Sequence, residues 1–266
     1  MDIQHLLTGP VCGIRFGVYD MVSDALSGAE SRWRITDEML KTGVRDMTGL
    51  SNNAEEPDAD KDYLSHKNQE TLAAEAQHRD AMKRRLAGIS GLVCDLATGE
   101  GHMLRTLLAA EGDYSIVCTD IDWRILAMTR KQLQTDDNKV AYVAADGRYM
   151  PLANDSFDCV TSYAGFGNIP DNARVAKELF RILKPGGTLL LRANFIEKGS
   201  KSHALAKQFS METGMVEEAF VECLQGAGFR QVQSTAVAQA VWAENPYDLL
   251  PVAGDTYMYN IVQANK

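Results

Sequence analysis

The chain has 266 residues, 45% of them hydrophobic and 24% charged, which is enough to bury a full core in one large domain or in one domain with a small cap. A net charge of −9 repels phosphate backbones and excludes nucleic acid as the default partner. Five cysteines at an odd count, with no C-x-x-C spacing, exclude a disulfide framework and a cysteine metal site, so no metal is expected.

The first 88 residues read as a polar, helical cap or lid. The N-terminus lacks a basic start and a sustained apolar core, so no signal peptide is expected. No apolar run reaches about 18 residues, so no membrane span is expected and the cytoplasm is the expected compartment. Residues 51–62 (SNNAEEPDADKD) are acidic and turn-rich and read as an exposed loop. Strong helix formers follow and stop at Gly88, with Lys83, Arg84 and Arg85 suiting the negative end of the dipole. Leu72, Ala76, Met82 and Leu86 are the expected apolar stripe of this helix.

From residue 89 to 266 the texture changes to a second unit. Apolar runs at 91–97, 114–120, 140–146, 157–163 and 187–195 alternate with amphipathic helical stretches. This alternation predicts an α/β fold, a doubly wound and mostly parallel sheet with helices on both faces. Cys94, Cys118 and Cys159 fall inside these runs and read as buried free thiols. After the helical stretch 215–229 come two extended runs with no helix between them, which predicts an antiparallel last strand and seven strands in all.

The first strand ends in LVCDLATGEGHML, residues 92–104. In a doubly wound sheet the ligand lies at the carboxyl ends of the strands, against the first turn. Read as G-x-G-x-x-G/A from Gly99, the loop places Leu104 where a dinucleotide fold wants a small residue, which disfavours NAD and FAD. A phosphate-binding loop is excluded because no Gly-Lys-Ser/Thr follows. What remains is acid-x-small-x-Gly-x-Gly (Asp95, Ala97, Thr98, Gly99, Gly101), an acid after the second strand (Asp120, with Ile121) and an acid after the third (Asp146, with Gly147). Three acids repel pyrophosphate and suit a ligand with a cationic centre, a ribose and an adenine amine.

With these residues in order, the chain resembles the class I S-adenosylmethionine-dependent methyltransferases. The segments DGRYMPLANDSFDCVTS (146–162) and ELFRILKPGGTLLL (178–191) resemble two further signatures of that family. The branch it looks most like is the ubiquinone/menaquinone C-methyltransferase type, through YAGFGNIPD (163–171) and VYDMVSDALSGAESRWR (18–34). That branch also accepts alanine at the position of Ala97. Two differences stand: Asn168 follows Phe166-Gly167 directly, without the branch's Leu-Arg, and about 50 residues separate Arg34 from the first strand.

The resemblance implies a Rossmann-like fold and S-adenosylmethionine as cofactor. The glycine turn (Asp95, Ala97, Thr98, Gly99, Gly101) would wrap the methionine part, Asp120 and Ile121 the ribose, and Asp146 and Gly147 the adenine. Tyr19 would close over the cofactor or simply pack in its helix. His102, Tyr163 and His203 are the candidate catalytic residues, and Tyr163, at the mouth of the site, is also a candidate cofactor contact. Each has a plain alternative: a histidine facing water, a tyrosine packed in the core, a histidine on the surface. The N/D-P-P-Y motif of base-methylating enzymes is absent at Ser162-Tyr163-Ala164-Gly165, so the expected acceptor is a small molecule, methylated on carbon or oxygen. The alternative is a protein of this fold that binds the cofactor without methyl transfer, as a regulatory subunit or a cyclase-like helper. A homodimer is expected on frequency grounds.

Overall fold

The computed structural model describes residues 1–22, 26, 35–42, 65–110, 112–246 and 248–266. The expected acidic loop at 51–62, and most of the 18–34 segment, lie outside the described residues. The elements are β1 (Gly13–Arg15), β2 (Val18–Asp20), α1 (Asp37–Thr42), α2 (Gln69–Leu86), β3 (Ser90–Asp95), α3 (His102–Ala110), β4 (Asp113–Asp120), α4 (Trp123–Leu133) and β5 (Val140–Ala144). They continue as β6 (Phe157–Tyr163), α5 (Gly165–Asn168), α6 (Asn172–Ile182), β7 (Leu183–Ile196), α7 (Lys201–Gln208), α8 (Glu212–Met215), α9 (Glu217–Gly226), β8 (Arg230–Val241) and β9 (Thr256–Asn265).

The strands form one sheet in the order β1-β2-β5-β4-β3-β6-β7-β9-β8. The seven expected strands are β3 to β9. β3, β4, β5, β6 and β7 pair in parallel, and β9 runs antiparallel to both β7 and β8. The sheet is larger than expected by β1 and β2, which corrects the helical reading of the N-terminal zone. β2 pairs in parallel with β5, and β1 folds back on β2 antiparallel. The two-residue turn Phe16-Gly17 has positive φ at both positions (51° and 81°), the geometry that matches strand twist in tight hairpins. Phe-Gly is not the usual Asn-Gly signal, and each strand has only three residues, too short for period-2 alternation to stand out.

Apolar side chains alternate between the two faces of the sheet. Cys94, Val143, Val160, Leu189 and Leu191 pack under α6 and α9 through Val175, Leu179, Phe220 and Leu224. Val93, Ile116, Cys118 and Leu190 pack on the other face against Met82, Leu86, Leu104 and Met128 of α2, α3 and α4. Cys94, Cys118 and Cys159 are buried and free, as their strand positions require. Leu104 is fully buried in this second layer, so its position serves packing rather than a dinucleotide turn.

α2 begins where the Asn68 side chain accepts a hydrogen bond from the Thr71 amide at 2.7 Å, and ends with Lys83, Arg84 and Arg85 in its last turn. Its buried face is Thr71, Ala74, His78, Met82 and Leu86. Met82 and Leu86 of the expected stripe are buried, but its first half differs: Leu72 is exposed, and Thr71, Ala74 and His78 are buried instead. A histidine on an apolar face defeats hydrophobic periodicity as a guide. The chain order reverses between β3 and β6, so a crevice opens at Asp95–Ala97 and Tyr163–Gly165, where open α/β sheets hold ligands. Among the described residues no helix is long and apolar enough to cross a membrane.

Candidate functional site

The loop after β3 is pinned on both sides. The Leu96 amide donates to the Thr161 carbonyl of β6 and the Thr98 amide to the Thr119 carbonyl of β4, both at 2.8 Å. Ala97, Gly99 and Gly101 all have positive φ (51°, 50° and 82°). The Ala97 methyl group makes this conformation cost about 1–2 kcal/mol relative to glycine. The methyl group fits because the facing residue is Gly165, where an added Cβ would lie 2.5 Å from that of Ala97. Gly101 has another role: a side chain there would strike Thr129 Cγ2 at 2.8 Å, so this glycine lets α3 approach α4.

Two carboxylates organise the loop. Asp95 is fully buried and accepts from the hydroxyls of Thr98 (3.0 Å) and Thr161 (3.3 Å). Burial pushes its pKa up to about 7, with the charge of Asp120 adding to the shift. Asp120 accepts from the amides of Gly99 (2.9 Å) and Asp122 (3.2 Å), and burial raises it to about 6. Thr129 completes the brace by donating its hydroxyl to the Gly99 carbonyl at 2.7 Å.

These elements enclose a cavity of about 370 Å³ lined by Ala97, Thr98, Gly99, Glu100, His102, Asp120, Ile121, Asp146, Gly147 and Tyr163, among others. Three of the lining residues are carboxylic acids and none is lysine or arginine. Gly147 is held flat between Leu96 and Ile169; a Cβ there would come within 2.9 Å of Ile169 Cδ1. The Asp146 carboxylate is gripped by Arg148, with Nη2 at 2.8 Å from Oδ2 and Nε at 2.9 Å from Oδ1.

Nine of the residues named from sequence therefore meet at one cavity as lining: Ala97, Thr98, Gly99, His102, Asp120, Ile121, Asp146, Gly147 and Tyr163. Asp95 and Gly101 lie behind the loop and support it. Tyr19 is displaced from the expectation. It is a residue of β2, opposite Val143 of β5, and it packs against the core outside the cavity lining.

His203 is also displaced. It is buried in α7, with Nδ1 accepting from the Gly199 amide (2.9 Å) and Nε2 donating to Glu212 Oε1 (2.9 Å). One bond holds the turn that enters α7 and the other ties α7 to α8, so both ring nitrogens are engaged within the fold.

His102 does reach the cavity. Its side chain is 59% exposed, and Nε2 lies 3.4 Å from Glu100 Oε2. Its basicity is lowered, first by desolvation and then by Arg192, Arg105 and Lys67, and the open face of the ring tempers the first of these. Tyr163 meets the His102 ring edge-on at 5.9 Å, meets the His78 ring at 6.2 Å, and carries the Arg192 guanidinium 3.7 Å over its own ring. His78 is neutral, driven down to about 3 by burial and Arg192, and donates Nε2–H to the Asn260 carbonyl at 2.6 Å.

Sequence reasoning missed Gly165, Asn168, Ile169 and Pro170, which close the cavity from the β6–α6 connection, and missed His78 and Arg192. The first four lie inside the YAGFGNIPD segment that carries the family resemblance, and Arg192 shows as a charge inside the apolar run LLLRANF.

The methyltransferase domain family matches residues 94–191. The ubiquinone/menaquinone biosynthesis C-methyltransferase of Proteus mirabilis is 36% identical over 102 residues, which is 37% of this chain and 41% of that enzyme. The demethylmenaquinone methyltransferase of Clavibacter sepedonicus is 37% identical over 114 residues, 42% of this chain and 45% of that enzyme. The chain thus spans less than half the length of the curated relatives it matches.

Among solved structures, phosphoethanolamine N-methyltransferase 2 of Haemonchus contortus, in complex with S-adenosyl-L-methionine, aligns with a TM-score of 0.58 at 20% identity. That alignment covers 86% of this chain and 59% of that one. The 4+2 cyclase SpnF aligns with a TM-score of 0.57 at 20% identity, over 73% of this chain and 80% of that one. Residues 94–191 of this chain thus match the methyltransferase domain family, and they are carried on a Rossmann-like fold shared with these solved structures.

Proposed function

We propose that this chain transfers a methyl group from S-adenosylmethionine to carbon or oxygen of a small-molecule acceptor. The observation that carries the reading is Asp120. A carboxylate has about four acceptor positions. Those taken by the Gly99 and Asp122 amides hold the loop, and Asp120 still lines the cavity with capacity to accept from a pair of ribose hydroxyls.

The rest of the cavity fits the same ligand. Its volume of about 370 Å³ lies within the usual range for small-molecule sites. Its acidic lining suits a cationic centre and repels phosphate. Bound S-adenosylmethionine supplies a methyl group on a sulfonium, which a nucleophile displaces to leave a neutral thioether.

Within this reading Ala97, Thr98 and Gly99 approach the amino-acid end with backbone. Asp120 and Ile121 hold the ribose, and Asp146 and Gly147 border the adenine. Tyr163 and His102 stand at the acceptor side, where they position the acceptor and exclude water. His102 also stands where it could take a proton from an acceptor hydroxyl, because the ring is neutral at pH 7.

Calorimetric titration with S-adenosylmethionine tests the reading. The wild type is expected to bind at micromolar concentration, with the binding lost in Asp120→Ala. A wild type that does not bind refutes it. Release of S-adenosylhomocysteine from a metabolite extract then separates methyl transfer from binding alone.

A further inference from the structure

Arg192 is the one cation that enters the sheet at the crevice among the described residues, and it stands uncompensated. It lies on β7, opposite Tyr163 of β6 and Ile261 of β9, and is only 4% exposed. Its Nε is buried without a hydrogen-bond partner, and among the described residues no carboxylate makes an ion pair with its guanidinium. The tyrosine ring beneath it, at 3.7 Å, supplies a cation–π contact but no acceptor.

The charges around it do not neutralise it either. Glu75 of α2 favours the charge through space but is itself tied to Lys67 at 2.7 Å, and Arg79 adds repulsion. A buried, unpaired guanidinium is costly, and a fold that only needed to fill this volume would place an apolar side chain here.

The position has a direction as well as a charge. Arg192 lines a small recess of about 40 Å³ with Asn194 and Tyr257. This recess shares Ala164 and Asn168 with the main cavity. The guanidinium therefore sits next to the acceptor side of the site, where a planar fork of donors matches a planar oxyanion.

We propose that the methyl acceptor carries an oxyanion (a carboxylate, or an enol or phenol oxygen that has lost its proton) and that Arg192 binds it beside Tyr163. This rests on the methyltransferase reading above. In that setting the guanidinium favours the deprotonated form of an enol or phenol, which is the more nucleophilic form at carbon or oxygen.

The test uses the full chain as wild type, Arg192→Met and Arg192→Lys. Thermal melts are recorded alone and with about 10 mM benzoate or benzamide, which differ in charge but hardly in shape. The expected result is a rise of about 3 °C with benzoate on the wild type, for a Kd near 1 mM, and none with benzamide. Arg192→Met is expected to lose the benzoate response while melting at or above the wild type when alone, because the uncompensated charge is gone. Arg192→Lys is expected to keep part of the response.

Equal effects of benzoate and benzamide on the wild type overturn the proposal. So does an Arg192→Met variant that melts several degrees low and is restored by lysine, which marks a structural cation. Titration with S-adenosylhomocysteine is run alongside. Affinities within threefold between wild type and Arg192→Met are expected. A loss of tenfold or more in the variant assigns the guanidinium to the cofactor's carboxylate and overturns the proposal. Failure of the wild type to bind S-adenosylhomocysteine refutes the methyltransferase reading separately, since the benzoate comparison does not depend on it.

Discussion

Replacing Asp95 by asparagine should stabilise the protein at alkaline pH and do little in acid. Asp95 is fully buried, and its pKa is raised from 3.8 to about 7, chiefly by desolvation. Between about pH 4 and 7 the folded chain holds a proton there that the unfolded chain releases. Stability contributed at this site therefore falls as pH rises through that window, and the full penalty stands above pH 7. A shift of about three units corresponds to about 4 kcal/mol as an upper bound.

Asparagine removes that penalty and keeps one acceptor. The second threonine hydroxyl need not be orphaned. Thr98 also donates to the Asp95 carbonyl at 3.1 Å and Thr161 reaches the Cys94 carbonyl at 3.4 Å, so either oxygen can accept from the new amide. Allowing about 1 kcal/mol for poorer geometry leaves a gain of about 3 kcal/mol at pH 8, or about 6 °C or more in Tm. At pH 5 the penalty has shrunk to about 1.6 kcal/mol and the gain to about 0.6 kcal/mol. Urea and thermal unfolding of wild type and Asp95→Asn at both pH values provide the assay. A variant less stable than wild type at pH 8, or a gain independent of pH, would refute the reasoning.

Three further outcomes are expected. Affinity for S-adenosylhomocysteine should fall as pH drops through about 6, where Asp120 gains its proton and loses acceptor capacity; a flat calorimetric profile from pH 8 to 5 counts against the ribose role. Gly165→Ala drives a Cβ to 2.5 Å from that of Ala97 and should cost about 1–3 kcal/mol and at least tenfold in cofactor affinity. Adding Ala97→Gly should recover part of both losses, and no recovery would show that the clash lies elsewhere. His203→Ala removes two hydrogen bonds from a buried ring and should cost about 1–3 kcal/mol in unfolding experiments, with S-adenosylhomocysteine affinity unchanged; a loss of affinity there would return His203 to the site.

Much of the fold was legible because a parallel sheet covered on both faces writes itself as apolar runs spaced by amphipathic helices. β3 to β7 all stand where such runs were read, and the late pair β8 and β9 follows from the absence of an intervening helix. The N-terminal hairpin was not legible. Its strands are three residues long and are held by β5, a partner more than a hundred residues away. The face of α2 was misread for a related reason, since the residue buried at its centre is His78, satisfied by the Asn260 carbonyl of a distant strand.

The sequence by itself determined which residues meet at the end of the cavity proposed to hold the cofactor. Ala97, Thr98, Gly99, Asp120, Asp146 and Gly147 all come from turns that directly follow strands, so strand order in the chain carries them to one edge. Only the tertiary structure decided the acceptor end. His203 stands away from it, with Gly199 and Glu212 engaging both ring nitrogens, while Tyr19, expected over the cofactor, lies outside the cavity lining because β2 is at the far side of β5. Arg192, His78 and Tyr163 come together across β7, α2 and β6 through packing between segments far apart in sequence. No local spacing encodes that meeting, and what makes it informative is the burial of a guanidinium that makes no ion-pair contact with a carboxylate among the described residues.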